Sequence, residues 1–307
     1  MDMVISPLSE AIGAEVQGID LNDALAPETV AAIDRAFIDY GVLLFRKQPV
    51  SAPTLASFSA QFGKLQPHVQ RAYQHPDVPE VVMMTNRKAD GTFDELGARR
   101  GVMEDIARGW HSDLSYDPVP AKATLLHSVA IPSRGGNTCF TNVYRAYASL
   151  PQSVKDSLNG LKAEFRYGGH DKNPSTKLAA QALDEKARQS AVAYHPVVVQ
   201  HPVTRRPAIY VNPLITTHIE GISATQSEKV LETLFAAINN PENSWEHQWS
   251  EGDTLMWDNR GGTMHTGRLD YPRNEARQFI RTTVVGQPTL AYSTASETAS
   301  LHRRQEA

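Results

Sequence analysis

Apolar residues along this chain fall into short continuous runs and into a few faces of helical period, and these two patterns place most of its elements. Val4 to Pro7 and Ala14 to Ile19 read as short strands around a glycine turn. Pro27 opens a helix to about Tyr40, because Val30, Ile33, Phe37 and Ile38 share one face and Gly41 follows as a stop. Val42-Leu43-Leu44-Phe45 is apolar throughout, as in a strand buried on both faces. Ser51 to Phe62 reads as a second helix with Leu55, Phe58 and Phe62 inward and Gly63 as its stop, and Glu80 to Met84 is strand-like.

Beyond Ile131 the pattern weakens. Ala121 to Ile131 is an apolar strand ending at Pro132, and Gly135 to Thr138 is a turn. Tyr144 to Leu150 suggests a short helix. Gly168 to Ser175 reads as a loop, and the stretch from there to Tyr194 as an exposed helix. Val197 to Val199 and Ala208 to Val211 are strands on either side of a hairpin-like connection. Ser223-Ala224-Thr225-Gln226 is a capping box for a helix that carries Val230, Leu231, Leu234, Phe235 and Ile238 on one face. Trp245 to Trp249, Thr254 to Trp257 and Phe279 to Val285 read as strands.

Many short strands with Gly and Pro turns and a few helices predict a mainly β fold with helical insertions, a double-stranded β-helix or jelly roll. We expect one domain over 1–290 and a disordered tail over 291–307. The polar segment 86–108 has weak periodicity and runs straight into Trp110-His111, so a lid-like insertion is expected there.

Composition narrows the partners. A formal charge of −4 over 307 residues, with 21% charged, lacks the basic excess that nucleic acid requires. No apolar run reaches membrane-spanning length and the start has no signal-like h-region, so a soluble cytoplasmic protein is expected. The single Cys139 excludes an internal disulfide.

The candidate chemistry lies in two stretches. Gly109-Trp110-His111-Ser112-Asp113 places a His and an Asp two residues apart, and Trp257-Asp258-Asn259-Arg260-Gly261-Gly262-Thr263-Met264-His265 offers a remote second His. Two imidazole nitrogens and one carboxylate on one face of iron(II) leave other coordination positions open for a cosubstrate and oxygen. The spacing alone is a cheap pattern. His75-Pro76-Asp77 and His218-Ile219-Glu220 show it too, and read as an ordinary turn and a solvated loop. Arg277 and Arg281 add a separate argument. At strand period Arg277, Phe279, Arg281 and Thr283 face one side, with the two arginines roughly 13 Å apart, which suits two anions rather than one. Three readings remain open on the residues: an oxygenase, a metal-dependent hydrolase, and a non-catalytic jelly-roll binding protein.

The order of features decides between them. Trp-His-x-Asp is followed by a strand and then by Pro-Ser-x-Gly-Gly-x-Thr at 132–138. Gly252-Asp253 and Trp257 to Arg260 come next, then His265 and the two arginines. With Tyr194-His195-Pro196-Val197 and Tyr210-Val211-Asn212-Pro213 included, the chain from about Val4 to Gly286 resembles the taurine dioxygenase and phenoxyacetate-herbicide dioxygenase family, which uses iron(II) and 2-oxoglutarate. The resemblance implies that His111, Asp113 and His265 hold iron, and that Arg277, helped by Thr138, holds the distal carboxylate of 2-oxoglutarate. It places Arg281 and His68 against the prime substrate, a small organic anion such as a sulfonate or carboxylate. It implies oxygen-dependent hydroxylation, sometimes followed by cleavage, with release of succinate and carbon dioxide, and a homo-oligomer (dimer or tetramer). Because Asp113 is present, hydroxylation is expected rather than halogenation. Ile106-Ala107-Arg108-Gly109 lacks the polar Asn of the taurine enzymes, and taurine is therefore not the expected substrate. Tyr116, Phe165 and Tyr167 are expected in core packing, and Cys139 as a small buried residue.

Overall fold

We describe residues 3–67, 73–99, 102–167 and 192–293 in a computed structural model of the protein. Its strands, in chain order, are β1 (Val4–Pro7), β2 (Ala14–Gln17), β3 (Val42–Phe45), β4 (Val82–Thr85), β5 (Ala121–Ala130), β6 (Thr138–Asn142), β7 (Lys162–Arg166) and β8 (Val192–Pro196). They continue with β9 (Val198–Gln200), β10 (Pro207–Ile209), β11 (Thr216–Ile219), β12 (Ser244–His247), β13 (Thr254–Asp258), β14 (Thr263–Gly267), β15 (Gln278–Val285) and β16 (Leu290–Ala291). The helices are α1 (Pro27–Tyr40), α2 (Ala52–Ala60), α3 (Glu95–Ala98), α4 (Val143–Ala148), α5 (Gln152–Ser157) and α6 (Ala224–Ile238).

One large sheet, in the order β1-β2-β3-β13-β5-β15-β4, organises the rest. Only β2 and β3 pair in parallel; every other neighbour is antiparallel. Alternation along its strands makes two apolar faces. Leu43, Phe45, Leu125, Met256 and Val284 pack outward on Ile33 and Phe37 of α1 and on Leu55 and Phe58 of α2. Val42, Leu44, Leu126, Leu255, Trp257 and Phe279 pack inward on Phe140 of β6 and on Trp245, which belongs to β12. Full burial of each such side chain contributes roughly 1.5–3 kcal/mol. The inward partners belong to a three-stranded sheet, β12-β6-β14, and two further three-stranded sheets, β11-β7-β8 and β10-β9-β16, contribute to a third apolar cluster with α4 and α6.

The expected helices form with the expected signals. Pro27 lies in the first turn of α1, which closes on Gly41 at φ 71. Ser51 caps α2 by accepting from the Thr54 N–H, and Ser223 with Gln226 makes the capping box of α6. Several expectations need correction. Thr138 begins a strand rather than ending a turn, and α5 follows α4 as a separate helix. Tyr194 lies in β8, not at the end of a helix; the loop and helix expected between 168 and 191 lie outside the described residues. His218 is exposed on β11 rather than in a loop. The segment 86–108 carries α3, a 3-10 turn at Ile106–Arg108 and a bridge from Arg87 to Phe93. The 291 boundary falls inside β16, and Tyr292 meets the Tyr147 ring at 6.0 Å. No helix among the described residues is long and apolar enough to cross a membrane.

Candidate active site

His111 and Asp113 lie on the loop before β5, and His265 is the central residue of β14. The two segments are joined by a two-way backbone bridge, His111 N–H to His265 O at 3.0 Å and His265 N–H to His111 O at 2.9 Å. The loop is pinned on both sides of the His. The Trp110 indole donates to Asn239 Oδ1 at 2.9 Å, and the Ser112 hydroxyl donates to Thr263 O at 3.1 Å. Leu114 turns the chain back at φ 57, a left-handed conformation that leucine adopts at a cost of about 1–2 kcal/mol.

This bridge brings the imidazoles and the carboxylate together. One ligand atom from each of His111, Asp113 and His265 lies within 4.8 Å of the others. The imidazole rings are 4.2 Å apart between centroids, and His265 Nε2 is 3.9 Å from Asp113 Oδ2. His111 Nδ1 donates to Gly109 O at 2.7 Å, which fixes the tautomer and leaves Nε2 with a free lone pair. Nδ1 of His265 is buried without a hydrogen-bond partner among the described residues. Burial lowers the proton affinity of both imidazoles, that of His265 to a pKa of about 3. Burial alone would raise the Asp113 carboxyl; Arg281, His265, His111 and the Thr124 hydroxyl outweigh it and hold the group ionised. Two neutral nitrogens and one anionic oxygen are the donor set that a divalent first-row metal takes, and the site fits iron(II).

Among the described residues the rivals do not gather ligands. His75 Nδ1 accepts from the Asp77 N–H at 3.2 Å within its turn, and exposed His218 meets the Thr217 hydroxyl at 3.0 Å.

Arg281 on β15 and Arg277, the residue just before that strand, are both partly or wholly buried. Between them Phe279 packs in the inter-sheet core, while Ile280 and Val284 face the helices. A bulge separates Gln278 from Phe279 in the pairing with β5, and Arg277 remains stacked on the Phe279 ring at 4.4 Å. Arg281 Nη1 is 3.3 Å from Asp113 Oδ1, and its Nε is buried without a partner among the described residues. Arg277 donates through Nε and Nη2 to Gly136 O at 3.1 and 2.9 Å and makes no ion pair among the described residues; burial draws its pKa down to about 10. Thr138 accepts from the Trp249 indole at 3.1 Å, and Trp249 meets Phe279 edge-on at 4.7 Å. Thr138 and Arg277 thus border one aromatic pair.

A pocket beside the carboxylate is lined by Pro67, Val82, Leu114, Tyr116, Arg281 and Thr283. Tyr116 lines it and also packs against the apolar cluster as expected, with Tyr167 edge-on at 4.8 Å. Its aromatic, Pro-flanked neighbourhood gave no signal that would separate pocket from core. Phe165 is in the core as expected, against Tyr210 at 5.5 Å. Cys139 is buried, with its thiol pushed up to about 12. His68 lies outside the described residues. Two residues missed from the sequence are Thr124 and Asn259: the Thr124 hydroxyl donates to Asp113 Oδ2 at 2.6 Å, and Asn259 Oδ1 accepts from the Asp113 N–H at 2.9 Å. Asn259 stands inside a stretch already singled out, but only its neighbours in space reveal its task.

Comparison with known proteins agrees with this geometry. The chain is 30% identical over 290 residues to the alpha-ketoglutarate-dependent 2,4-dichlorophenoxyacetate dioxygenase of Cupriavidus pinatubonensis, covering 93% of this chain and 98% of that one. It is 32% identical over 296 residues to the pentalenolactone F synthase of Streptomyces avermitilis, covering 92% and 94%. A crystal structure of a taurine dioxygenase from Burkholderia xenovorans superposes with a TM-score of 0.76 at 28% identity, covering 97% and 98%. Residues 5–283 match the family described as taurine catabolism dioxygenase TauD, TfdA family, and the chain belongs to it: it is an alpha-ketoglutarate-dependent dioxygenase that works with iron(II), 2-oxoglutarate and oxygen.

Proposed function

We propose that this protein, folded as a double-stranded β-helix, hydroxylates a small organic anion with an apolar body, a carboxylate or sulfonate, and that a hydroxyl placed on a carbon bearing a heteroatom leads to cleavage. The observation that carries this reading is Arg281, whose guanidinium stands between Asp113 and a pocket walled by Pro67, Val82, Leu114 and Tyr116. A buried cation with an unpartnered N–H in an apolar wall favours an anion that can desolvate it. The aryloxy acid named for the Cupriavidus relative has this combination of carboxylate and apolar body.

His111, Asp113 and His265 would hold the metal. The two imidazoles are neutral before any ligand arrives, so they present lone pairs without first losing a proton. Arg277, with Thr138 nearby, would receive the distal carboxylate of 2-oxoglutarate; its guanidinium is held in plane by Gly136 O and the Phe279 ring. A hydrolase or a binding protein leaves that buried, unpaired guanidinium without a task. With iron(II) and 2-oxoglutarate bound, oxygen would supply the oxidising power: one of its atoms would go into succinate and the other into the hydroxylated product, with carbon dioxide released. The apolar wall keeps water from the reacting carbon, and Arg281 orients the substrate through its anionic head. Gln66 and Pro67 line the pocket directly before His68, which supports a substrate contact for that residue.

Succinate release, measured over aryloxy carboxylates, alkylsulfonates and their neutral amide counterparts, tests the reading. Anions should be turned over and the neutral counterparts should not. In Arg281→Ala the KM for the anion should rise about 10- to 100-fold, the worth of a charged hydrogen bond, with the KM for 2-oxoglutarate changed much less. Equal turnover of neutral analogues, or equal losses for both substrates, would remove the assignment.

A further inference from the structure

We propose that Thr124 and Asn259 form a one-way hydrogen-bond ring that holds the Asp113 carboxyl group in a single orientation before metal binds. The proposal rests on the reading of His111, Asp113 and His265 as the metal site. Neither residue touches the metal; both are positioning residues.

The direction of every bond in the ring follows from donor chemistry. A backbone N–H can only donate, so the atom of Asn259 that lies 2.9 Å from Asp113 N must be its oxygen. The other end of that amide is therefore NH2, and it donates to Thr124 Oγ1 at 3.0 Å. With its oxygen already accepting, Thr124 directs its only proton elsewhere, and Asp113 Oδ2 stands 2.6 Å away. Oδ2 therefore accepts, which fixes the rotation of the carboxyl group about its Cβ–Cγ bond. The ring closes from the Asp113 backbone through Asn259 and Thr124 to the Asp113 side chain. Thr124 and Asn259 are fully buried, so no water replaces a missing partner.

The surrounding sequence fixes the ring in place. Thr124 sits on β5 opposite Trp257 of β13, which brings the end of β13 beside it. Asn259 N–H donates to Lys122 O at 3.1 Å. Its neighbours hold the turn rigid: Arg260 donates to both oxygens of Asp258, by Nε to Oδ1 at 2.9 Å and by Nη2 to Oδ2 at 2.6 Å. Nδ1 of His201 accepts the Thr204 N–H at 3.1 Å, so its Nε2 carries the proton and donates to Asp258 Oδ2 at 3.1 Å. On the other side of Asn259, Trp257 packs its indole on the His265 ring at 4.6 Å. The Trp257 to Arg260 stretch thus supports both the carboxylate and the remote imidazole.

The test is the dissociation constant of the metal-free protein for Co(II), read from its visible absorption without 2-oxoglutarate. Groups that orient a metal ligand are worth about 10- to 100-fold in affinity. Thr124→Val, nearly the same shape without the hydroxyl, should weaken Co(II) by that factor and shift the band, while Thr124→Ser restores both. Asn259→Ala reads the same ring from its other end, so that one of the two variants folding suffices, as judged by circular dichroism. His265→Ala is the control for the site itself. If His265→Ala abolishes binding but a folded Thr124→Val or Asn259→Ala binds Co(II) like the parent with an unchanged spectrum, the ring has no positioning role. If His265→Ala also binds like the parent, the metal-site reading falls and the ring with it.

Discussion

Replacing Gly136 by alanine probes the placement of Arg277 through backbone alone. Gly136 adopts φ +68, and its carbonyl accepts both guanidinium bonds of Arg277. A Cβ at this position would stand 2.9 Å from Arg277 Nε and 3.2 Å from both Arg277 Cδ and Tyr271 Cδ1, so the arginine must move or the turn must shift. Gly160 provides the comparison, since it has φ +71 and open space where its Cβ would be. Gly160→Ala therefore carries left-handed strain alone, about 1–2 kcal/mol, which for a domain of this size lowers Tm by about 2–4 °C per kcal/mol. Gly136→Ala adds the displacement of Arg277. One charge-assisted hydrogen bond to a carboxylate is worth about 1.5–3 kcal/mol, or about 10- to 100-fold in affinity. Calorimetric titration of the metal-loaded protein with 2-oxoglutarate, alongside thermal melts, separates the two effects. Gly160→Ala should lose Tm and keep its affinity; Gly136→Ala should lose at least as much Tm and about tenfold or more in 2-oxoglutarate binding. A Gly136→Ala protein that melts lower but binds 2-oxoglutarate like the parent would refute the role given to Arg277.

Other variants test the remaining parts. His111→Ala should abolish metal binding and 2-oxoglutarate turnover and leave the circular dichroism spectrum intact; retained turnover would sink the metal assignment. The pH dependence of stability has a definite sign at His127, which lies buried with Nδ1 2.9 Å from the Thr254 hydroxyl. Burial lowers its pKa to about 4, with Asp253 opposing in part. Between the unfolded value of about 6.5 and that value, the unfolded chain binds a proton that the folded chain refuses, so stability falls as pH falls through this window. The slope from this one group is at most about 1.4 kcal/mol per pH unit, and His127→Gln should remove it from chemical-denaturation measurements between pH 6.5 and 4. An unchanged slope in that variant would show that His127 titrates normally.

The strands that pair into the outer half of the large sheet, and all the long helices, were readable because their burial is one-sided or wholly apolar. Val42 to Phe45 must be buried, and the periodic faces of α1 and α6 need a core to cover them. Two strands at the site were not readable. β6 (Thr-Cys-Phe-Thr-Asn) and β14 (Thr-Met-His-Thr-Gly) are buried along nearly their whole length yet mostly polar, because they line the chemistry. A polar buried strand has no hydrophobic period to betray it. For the metal ligands the sequence supplied residue types and an order of motifs specific enough to name the family. Residues around them whose worth lies in contact alone stayed hidden. Thr124 looks like one more β-branched residue of an apolar strand, and Tyr116 like one more core aromatic. Their tasks are set by what lies across the sheet: an Asp 11 residues back in the chain for Thr124, and the guanidinium of Arg281 for the pocket that Tyr116 walls. Local sequence determines which residues can do the chemistry, by their donors, charges and propensities; pairing between distant strands decides which of them meet.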